Sequence, residues 1–458
     1  MRETEVPTTR YFADVVHQFL VFDASCKTGE LLLELIDSSW LQRLRDISQT
    51  GNARLVYMFA EHSRFGHCLG AAHLAVLSMD NLKKLHREEV EAYYGAVACA
   101  ALLHDLGHTA PGSHLAEKIW HRPGSQPNSP HEGLTLRILK ESSEIRNILS
   151  RHPDPDLLEK VIKILSKSPD LPQWTKSIIH GDGWNIDRGN WTFVDSEMCG
   201  VSYGTYNILA LVDALRISPE GKLVLLENRR DALTHFLVAR HSMYRQIYQH
   251  RVLQAADLLC DSLVLRLRDL LQDRRDKAAR SLLGDLHIFC DETMLAAILS
   301  RNYCEELSLE QIFEMTESWW GYHLLRWSRE AKDPILRDLS YRLTCRKLLK
   351  TMQISREVSE DDSRREELLQ RAREVSKAKG FEPRYYVREA GSSRGGGSSK
   401  ERRGFYEDPP MIKLESGSIV EATFAEPLLA QLLYNPGPEQ EWVVLPREVK
   451  GELTRLWA

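Results

Sequence analysis

The chain has 458 residues, 43% of them hydrophobic, which is enough apolar material for a large buried core. Its 60 basic and 65 acidic residues give a net charge of −5, which excludes a globally basic protein whose main partner is a nucleic acid. The eight cysteines are scattered without a CxxC pair, which is typical of reduced thiols in an intracellular protein.

At the N-terminus there is no apolar signal core, and no apolar run is long enough to span a bilayer, so we expect a cytoplasmic protein without membrane contact. Residues 10–24 alternate loosely between apolar and polar types, which predicts a short hairpin or an extended arm. Apolar residues then recur at helical spacing and predict helices at about 64–84, 89–105, 131–149, 155–167, 205–217 and 229–272.

The second half of the chain adds further helices and ends differently. Residues 290–355 are amphipathic, and the mixed charge of residues 356–378 predicts a solvated helix. Residues 390–403 are rich in Gly, Ser and Arg, which predicts a flexible linker, with a phosphate-contacting arm as the alternative. Residues 411–414 and 441–445 resemble strands, so the predicted fold class is mainly α, with a small C-terminal α+β appendage.

One stretch carries an unusual density of ionisable groups. The apolar helix that ends at Leu103 is followed at once by His104 and Asp105, then by His108 and, after a Pro-Gly turn, by His114. A buried charged pair at a helix end is costly unless it is neutralised, which a divalent metal would do. Imidazole and carboxylate are the ligands of zinc, manganese and iron sites, although a single His-Asp pair is more often an ordinary hydrogen-bonded couple.

Three other stretches offer the same chemistry. Residues 64–70 place His67 near a helix start, His131 follows a proline at another, and Asp187 lies in a connection rich in Gly and Asp. Each of them is weak alone, because a lone histidine is more often a hydrogen-bonded core residue than a ligand.

In their order along the chain, His67, His104-Asp105 and Asp187 resemble the H…HD…D pattern of the HD-domain phosphohydrolase superfamily. Further motifs resemble its deoxynucleoside triphosphate triphosphohydrolases, namely residues 41–51 (QRLRxIxQ-G), 64–70 (RFEHSLG), 200–206 (GVSYG-F) and 239–251 (R-x-x-M/L-y-R-x-x-Y-x-H-K). The resemblance covers about residues 10–260, implies an HD-domain helical bundle and includes no counterpart of a SAM domain.

The resemblance implies a metal centre and a reaction. Its metal ligands would be His67, His104, Asp105 and Asp187, binding a divalent ion such as Mn, Mg, Fe or Zn. The reaction would be hydrolysis of a (deoxy)nucleoside triphosphate at the α-phosphate, which releases a nucleoside and tripolyphosphate.

Histidines near the metal would supply the proton for the leaving 5′-oxygen. His114 is the candidate general acid, although one more residue separates it from His108 than in the mammalian pattern. His108 and His131 would face phosphate oxygens or orient the acid, and their alternative is ordinary hydrogen bonding at helix starts.

The resemblance also implies how the substrate is held. Arginines grip phosphates in a bidentate manner, and the triphosphate contacts would be Arg64, Arg188 and Arg240, unless these form ordinary salt bridges. The sugar and base contacts carried over in the same way are Gln49, Trp191, Asp195 and Tyr248. The alternative for Tyr248 is core packing.

Several positions depart from the family pattern. Gly66 replaces a glutamate, and the approach to this motif lacks its Pro-Gly-Ala. Asn190 replaces an aspartate and Trp191 replaces a tyrosine, so the bulkier ring would exclude dNTPs or reshape their pocket. These changes leave the metal ligands in place and affect the choice of substrate.

We therefore divide the chain into a catalytic core with an N-terminal arm (1–270), a helical continuation or oligomerisation region (271–389), a flexible basic loop (390–404) and an α+β segment (405–458). The expected partners are a nucleotide substrate and further copies of the chain, with nucleic acid at most a secondary partner. Two alternatives to the predicted activity remain: a phosphohydrolase acting on another nucleotide or phosphodiester, and a regulatory or effector module that binds nucleotide without turnover.

Overall fold

A computed structural model describes residues 9–122, 130–272, 276–391, 409–434 and 440–457. It begins with an antiparallel hairpin of β1 (Thr9–Asp14) and β2 (Gln18–Asp23), which confirms the hairpin predicted there. The Asp14 carboxylate closes the turn by accepting the N–H groups of Val16 and His17 at 2.9 and 2.7 Å.

Helices make up most of the described chain, which confirms the predicted mainly α fold class. Those before residue 272 are α1 (Lys27–Ile36), α2 (Ser39–Arg43), α3 (Arg64–Lys83), α4 (Arg87–Glu91), α5 (Tyr94–Leu103), α6 (Leu115–Trp120), α7 (Pro130–Glu141), α8 (Ser143–Leu149), α9 (Leu157–Leu165), α10 (Gln173–His180), α11 (Ile186–Met198), α12 (Ile208–Ala214), α13 (Arg230–Met243) and α14 (Arg251–Leu271). Those after it are α15 (Asp276–Asp285), α16 (Glu292–Leu299), α17 (Tyr303–Glu306), α18 (Leu309–Glu314), α19 (Glu317–Glu330), α20 (Pro334–Thr344), α21 (Arg356–Glu360), α22 (Asp362–Ala378), α23 (Pro383–Tyr386), α24 (Ala422–Ala425), α25 (Pro427–Tyr434) and α26 (Arg447–Trp457).

The remaining strands form two small sheets that join distant parts of the chain. They are β3 (Leu215–Ile217), β4 (Leu223–Leu226), β5 (Lys350–Gln353), β6 (Arg388–Ala390), β7 (Met411–Lys413), β8 (Ile419–Glu421) and β9 (Trp442–Leu445). One sheet has the order β3-β4-β7-β8, with β4 and β7 parallel, and the other has the order β5-β9-β6, antiparallel throughout.

The main core surrounds α5, in which every residue from Gly95 to Leu103 is buried. This helix packs against α1, α3 and α9, so its Ala-rich surface allows close helix contacts on several sides. A smaller second core lies between α22, α26 and β9, where Leu368, Val443 and Leu453 are buried. Because α5 is buried from Gly95 to its end, the His-Asp pair that follows it emerges inside the protein.

Four helix predictions are wrong in part. The helix predicted for residues 89–105 is interrupted between Glu91, where α4 ends, and Tyr94, where α5 begins. The helix predicted for residues 205–217 ends at Ala214, because the residues that follow form β3 and pair with β4. The single helix predicted for residues 229–272 is broken after Tyr248, where His250 Nδ1 accepts the Val252 N–H at 3.3 Å and caps α14. The helix predicted for residues 131–149 is divided at Ser142, which caps α8.

In the second half of the chain, one prediction is wrong in part and another falls mostly outside the described residues. The amphipathic pattern of residues 290–355 does not continue to its end, because β5 pairs with β9 from the C-terminal segment. The loop predicted for residues 390–403 lies outside the described residues, apart from the end of β6 and Gly391. The predicted segment boundaries at 270, 389 and 404 stay a prediction, and both C-terminal sheets pair strands across them.

Within the described residues, no helix combines the length and apolar character needed to cross a membrane. The cysteines, all of which lie in the described ranges, are present as free thiols.

Candidate metal centre and substrate site

The four predicted metal-ligating side chains meet where three helices end or begin. His67 lies in the first turn of α3, and His104 and Asp105 follow the last residue of α5. Asp187 lies in the first turn of α11, where the side chain of Asn185 caps the helix. Residues far apart in sequence are thus brought together by the ends of packed helices.

The ligand atoms of these side chains lie at the spacing that a metal requires. His67 Nε2 is 3.1 Å from Asp187 Oδ1 and 3.2 Å from His104 Nε2. Asp105 Oδ1 lies 3.5 Å from His104 Nε2, and Asp105 Oδ2 lies 3.6 Å from His67 Nε2. Two ligands bound at right angles, each about 2.1 Å from one divalent ion, would be about 3 Å apart. His67, His104 and Asp187 therefore fit such an ion, without selecting one metal, and Asp105 adjoins them through its contacts with both imidazoles.

The second nitrogen of each imidazole is held by the protein. His67 Nδ1 lies 2.9 Å from Asn190 Oδ1, and His104 Nδ1 lies 2.8 Å from the carbonyl of Ala101. Both acceptors are oxygens, so we assign the proton of each ring to Nδ1. With a metal bound, the lone pair of each Nε2 would face it.

Opposite charges balance within this centre. Burial disfavours a charged imidazole, but the adjacent Asp105 and Asp187 carboxylates outweigh it and raise the pKa of His104 to about 9. Burial also disfavours both carboxylates, yet the surrounding imidazoles hold the pKa of Asp105 and of Asp187 below the ordinary value. Arg64, predicted as a phosphate contact, forms a close buried ion pair with Asp105.

The three predicted catalytic histidines form one cluster beside the metal ligands. The rings of His108 and His131 stack with centroids 4.1 Å apart, and that of His114 lies 5.9 and 5.6 Å from them. Glu117, which the sequence analysis did not select, contacts His131 closely and lies 3.5 Å from His114 Nδ1. Its position one helical turn after His114 was the available signal.

These histidines differ in their protonation. Burial, together with the charges of Arg64 and His131, holds the pKa of His108 well below its ordinary value. Burial acts in the same direction on His131, but the Glu117 carboxylate outweighs it and raises the pKa of His131. The side chain of His114 is 62% exposed, so it is the histidine of this cluster with the freest access to a ligand.

Asp195 and Tyr248, both predicted substrate contacts, are bonded to each other. The Tyr248 hydroxyl donates to Asp195 Oδ2 at 2.5 Å, and His62 Nε2 lies 2.8 Å from Asp195 Oδ1. Burial and the Asp195 carboxylate raise the pKa of Tyr248 well above its ordinary value, so this hydroxyl keeps its proton. His62 was not selected from the sequence, because its partner lies 133 residues away.

An aromatic wall adjoins this pair. The Trp191 ring lies 6.0 Å from that of Tyr244 and 5.6 Å from that of Tyr248, and the Arg240 guanidinium lies 4.8 Å from the Tyr244 centroid. Residues 244–248 form one turn of π-helix, a local widening often found at functional sites. The substitution of tryptophan for tyrosine thus builds a continuous ring surface.

Two other predicted contacts remain at the edge of the site. Arg188 donates to the carbonyl of Gly181 at 2.9 Å and lies 3.7 Å from Asp182, and burial with the charge of Arg240 lowers the pKa of Arg188. The Gln49 side-chain oxygen is buried and has no hydrogen-bond partner within the described part of the chain. Gln49 therefore has an acceptor available for a ligand.

The other departures from the family pattern have clear structural outcomes. Asn190 keeps an oxygen on His67, so the loss of a carboxylate at this position preserves the hydrogen bond. Space for this amide depends on Gly70, since a Cβ there would lie 2.2 Å from Asn190 Nδ2. Gly66 faces open space, and a Cβ there would meet nothing within 4 Å.

Comparison with known proteins identifies relatives. The HD domain family model matches residues 64–187, a span that begins at Arg64 and ends at the predicted metal ligand Asp187. The protein YwfO of Bacillus subtilis is 28% identical over 378 residues, covering 82% of this chain and 78% of the relative. The deoxynucleoside triphosphate triphosphohydrolase SAMHD1 homolog of Dictyostelium discoideum is 24% identical over 287 residues, covering 59% of this chain.

The same fold occurs in solved structures. A phosphohydrolase from Bacteroides thetaiotaomicron superimposes with a TM-score of 0.74, covering 96% of this chain and all of the other, at 22% identity. The chain matches only 52% of the length of the Dictyostelium relative.

Proposed function

Because the chain carries an HD domain of the phosphohydrolase superfamily and is related to SAMHD1, we propose that it hydrolyses (deoxy)nucleoside triphosphates at the α-phosphate. The products would be a nucleoside and tripolyphosphate. The observation that supports this most strongly is that the ligand atoms of His67, His104 and Asp187 lie within 3.6 Å of one another, with Asp105 within 3.6 Å of both imidazoles, beside a histidine cluster.

A divalent ion held by these four residues would polarise a phosphate oxygen and lower the pKa of a bound water. The protein orients the site through Asn190 and the Ala101 carbonyl, which fix the two imidazoles. The positive charge of Arg64 also favours the ionised form of Asp105, so this carboxylate stays negative.

The leaving 5′-oxygen needs a proton, and we assign its delivery to His114. The Nδ1 of His114 faces Glu117 at 3.5 Å, which leaves Nε2 as the donating atom. Glu117 also contacts His131, so one carboxylate orients both rings. His108, whose low pKa keeps it neutral, would donate a hydrogen bond to a phosphate oxygen rather than a full positive charge.

The substrate would lie between the metal and the aromatic wall. Arg188 and Arg240 supply positive charge for the triphosphate, and Gln49 and Asp195 offer acceptors for sugar hydroxyl groups. Trp191 and Tyr248 present ring edges and faces to the base or the sugar.

The decisive experiment is product analysis by mass spectrometry. The protein is incubated with each of the four dNTPs and four NTPs, with Mg²⁺ or Mn²⁺, beside Asp105→Ala and the control Asp231→Ala, whose side chain is 95% exposed. We expect nucleoside and tripolyphosphate from the wild type and the control and none from Asp105→Ala. Absence of product with every metal would contradict the proposal.

Trp191 in place of tyrosine favours one alternative, a phosphohydrolase for a different nucleotide or phosphodiester. Its ring occupies space beside Tyr248 that a smaller side chain would leave open. Under this alternative, the assay repeated with nucleoside mono- and diphosphates and with a phosphodiester shows cleavage of one of these but not of triphosphates, still dependent on Asp105.

A further inference from the structure

The carboxylate of Glu317, the first residue of α19, lies between two segments of the candidate site. Its Oε1 accepts the N–H of Gly112 at 2.5 Å and that of Ser48 at 3.4 Å. Gly112 lies two residues before His114, and Ser48 directly precedes Gln49. One oxygen thus joins the segment of the proposed proton donor to the segment of a proposed sugar contact.

The two segments are packed too closely for either to shift alone. The Ser113 N–H donates to the Ser48 carbonyl at 3.3 Å. A Cβ on Gly112 would lie 2.2 Å from that carbonyl oxygen and 2.9 Å from Glu317 Oε1. Gly51 has a φ of +56°, and a Cβ there would lie 2.9 Å from the Gly112 carbonyl oxygen. The contact therefore depends on glycine at both positions.

The chain that carries Glu317 is itself fixed to the site. The Ala110 N–H donates to the Met315 carbonyl at 2.9 Å, and the Ser318 N–H donates to Asp46 at 3.2 Å. The buried guanidinium of Arg43 donates to the carbonyls of Phe313 and His108, at 2.9 and 2.8 Å. The start of α19 is thus a rigid support, and its helix dipole favours a carboxylate there.

We infer that Glu317 is a positioning residue that sets the distance between His114 and Gln49 during the proposed reaction. The inference rests on the proposed function, since it concerns the geometry of proton delivery to the leaving group. Without the carboxylate, the Gly112 and Ser48 amides lose their common acceptor and the His114 segment separates from the Gln49 segment. A displacement of about 1 Å at a catalytic group lowers a rate by up to roughly 100-fold.

The test compares Glu317→Ala with Glu317→Gln, whose amide oxygen still accepts from both N–H groups. The matched control is Glu330→Gln, at the other end of α19, where the exposed carboxylate pairs with Arg326. With a nucleoside triphosphate we expect kcat to fall by about 10- to 100-fold in Glu317→Ala and by less than about threefold in the other two.

A second substrate separates positioning from a general loss of structure. The leaving group of p-nitrophenyl triphosphate departs as an anion without a proton, so cleavage does not need His114. On this substrate we expect Glu317→Ala to lower kcat by about threefold or less, because only proton delivery is impaired in this variant. Equal defects on both substrates, or a Glu317→Gln variant as impaired as Glu317→Ala, would overturn the inference.

If the wild type cleaves neither substrate, the proposed function fails and hydrogen exchange decides the inference about Glu317. We expect the amides of residues 110–113 and 48–51 to exchange faster in Glu317→Ala than in Glu330→Gln, with residues 186–198 unchanged. Unchanged exchange in both segments would overturn the positioning role.

Discussion

The hydrogen bond between His67 and Asn190 places an amide beside a predicted metal ligand. The Asn190 oxygen accepts from His67 Nδ1 at 2.9 Å, while Asn190 Nδ2 is buried without a hydrogen-bond partner among the described residues. A neutral amide orients the imidazole as a carboxylate would, but its oxygen is a weaker acceptor of the Nδ1 proton. His67 is therefore a weaker electron donor than it would be beside an aspartate.

We predict that Asn190→Asp binds a divalent metal more tightly. The carboxylate would increase the basicity of His67, and changes at such positions alter metal affinity by about 10-fold or more. Titration of the metal-free protein with Mn²⁺ measures the effect. Asn190→Leu, which removes the acceptor, should bind more weakly than the wild type, and equal affinities in all three proteins would contradict the prediction.

At this scale, sequence analysis could name residues but not their partners. The H…HD…D spacing selected four side chains. The fold brings the ligand atoms of His67, His104 and Asp187 within 3.6 Å of one another and places Asp105 beside both imidazoles. The same analysis missed Glu117 and His62, because ordinary acidic and histidine residues carry no signal until the fold places them beside His131 and Asp195. It also could not show that Arg64 faces Asp105.

Among the elements, α3 has a glycine in its first turn that no close contact requires. Gly66 is exposed, and nothing lies within 4 Å of the position its Cβ would take. Glycine in a helix costs about 0.5–1 kcal/mol relative to alanine, because it loses more backbone freedom on folding.

We therefore predict that Gly66→Ala raises the free energy of unfolding by about 0.5–1 kcal/mol. Chemical denaturation measures the change, and metal binding should be unaffected, since the new methyl group contacts nothing. Gly107→Ala should instead lower the free energy of unfolding, because its Cβ would lie 2.2 Å from the His131 carbonyl oxygen. A destabilised Gly66→Ala would contradict the prediction.

Two histidines lie at the contact between the N-terminal hairpin and α3. The Val21 N–H donates to His73 Nδ1 at 3.4 Å, and the rings of His73 and His17 lie 5.3 Å apart. Burial, with the nearby His17, lowers the pKa of His73 to about 4. Protonation would charge a buried ring and remove the acceptor of Val21.

We predict that stability falls as the pH drops from 6.5 towards 4. In this window the unfolded chain protonates His73 and the folded protein does not, so the loss reaches roughly 3 kcal/mol from this residue. Above pH 6.5 both states are neutral and the contribution is constant. Denaturation of His73→Gln across this range should show a shallower pH dependence than the wild type, while the exposed His235→Gln should not differ from it.

Elements with strong periodicity were predictable, and their interruptions were not. The helix predicted at residues 64–84 matches α3, because its apolar pattern is continuous. The break before α14 depends on a cap by His250, and β5 depends on pairing with β9, about 90 residues later. Neither contact has a local signature in the sequence.

Across the whole molecule, β9 holds the smaller core together. It is the central strand between β5 and β6, and Val443 on it is fully buried beside α22 and α26. Removing buried methyl groups costs the lost burial plus the cavity left behind.

We predict that Val443→Ala lowers the stability of this smaller core by about 2 kcal/mol. Hydrogen exchange of residues 350–353 and 388–390 measures it, because both strands pair with β9. Val238→Ala, at a position 39% exposed on α13, is the control and should leave this exchange unchanged. Equal exchange in the two variants would contradict the prediction.

The pairing of β7 with β4 and of β9 with β5 has a consequence for synthesis. During translation β4 lacks its parallel neighbour until residues 411–413 are made, and β5 lacks its neighbour until residues 442–445 are made. The segment around the predicted metal ligands also depends on later residues, since Ala110 and Gly112 bond to Met315 and Glu317. A nascent chain thus exposes unpaired edges of β4 and β5 after these strands have emerged, and such edges are prone to aggregation.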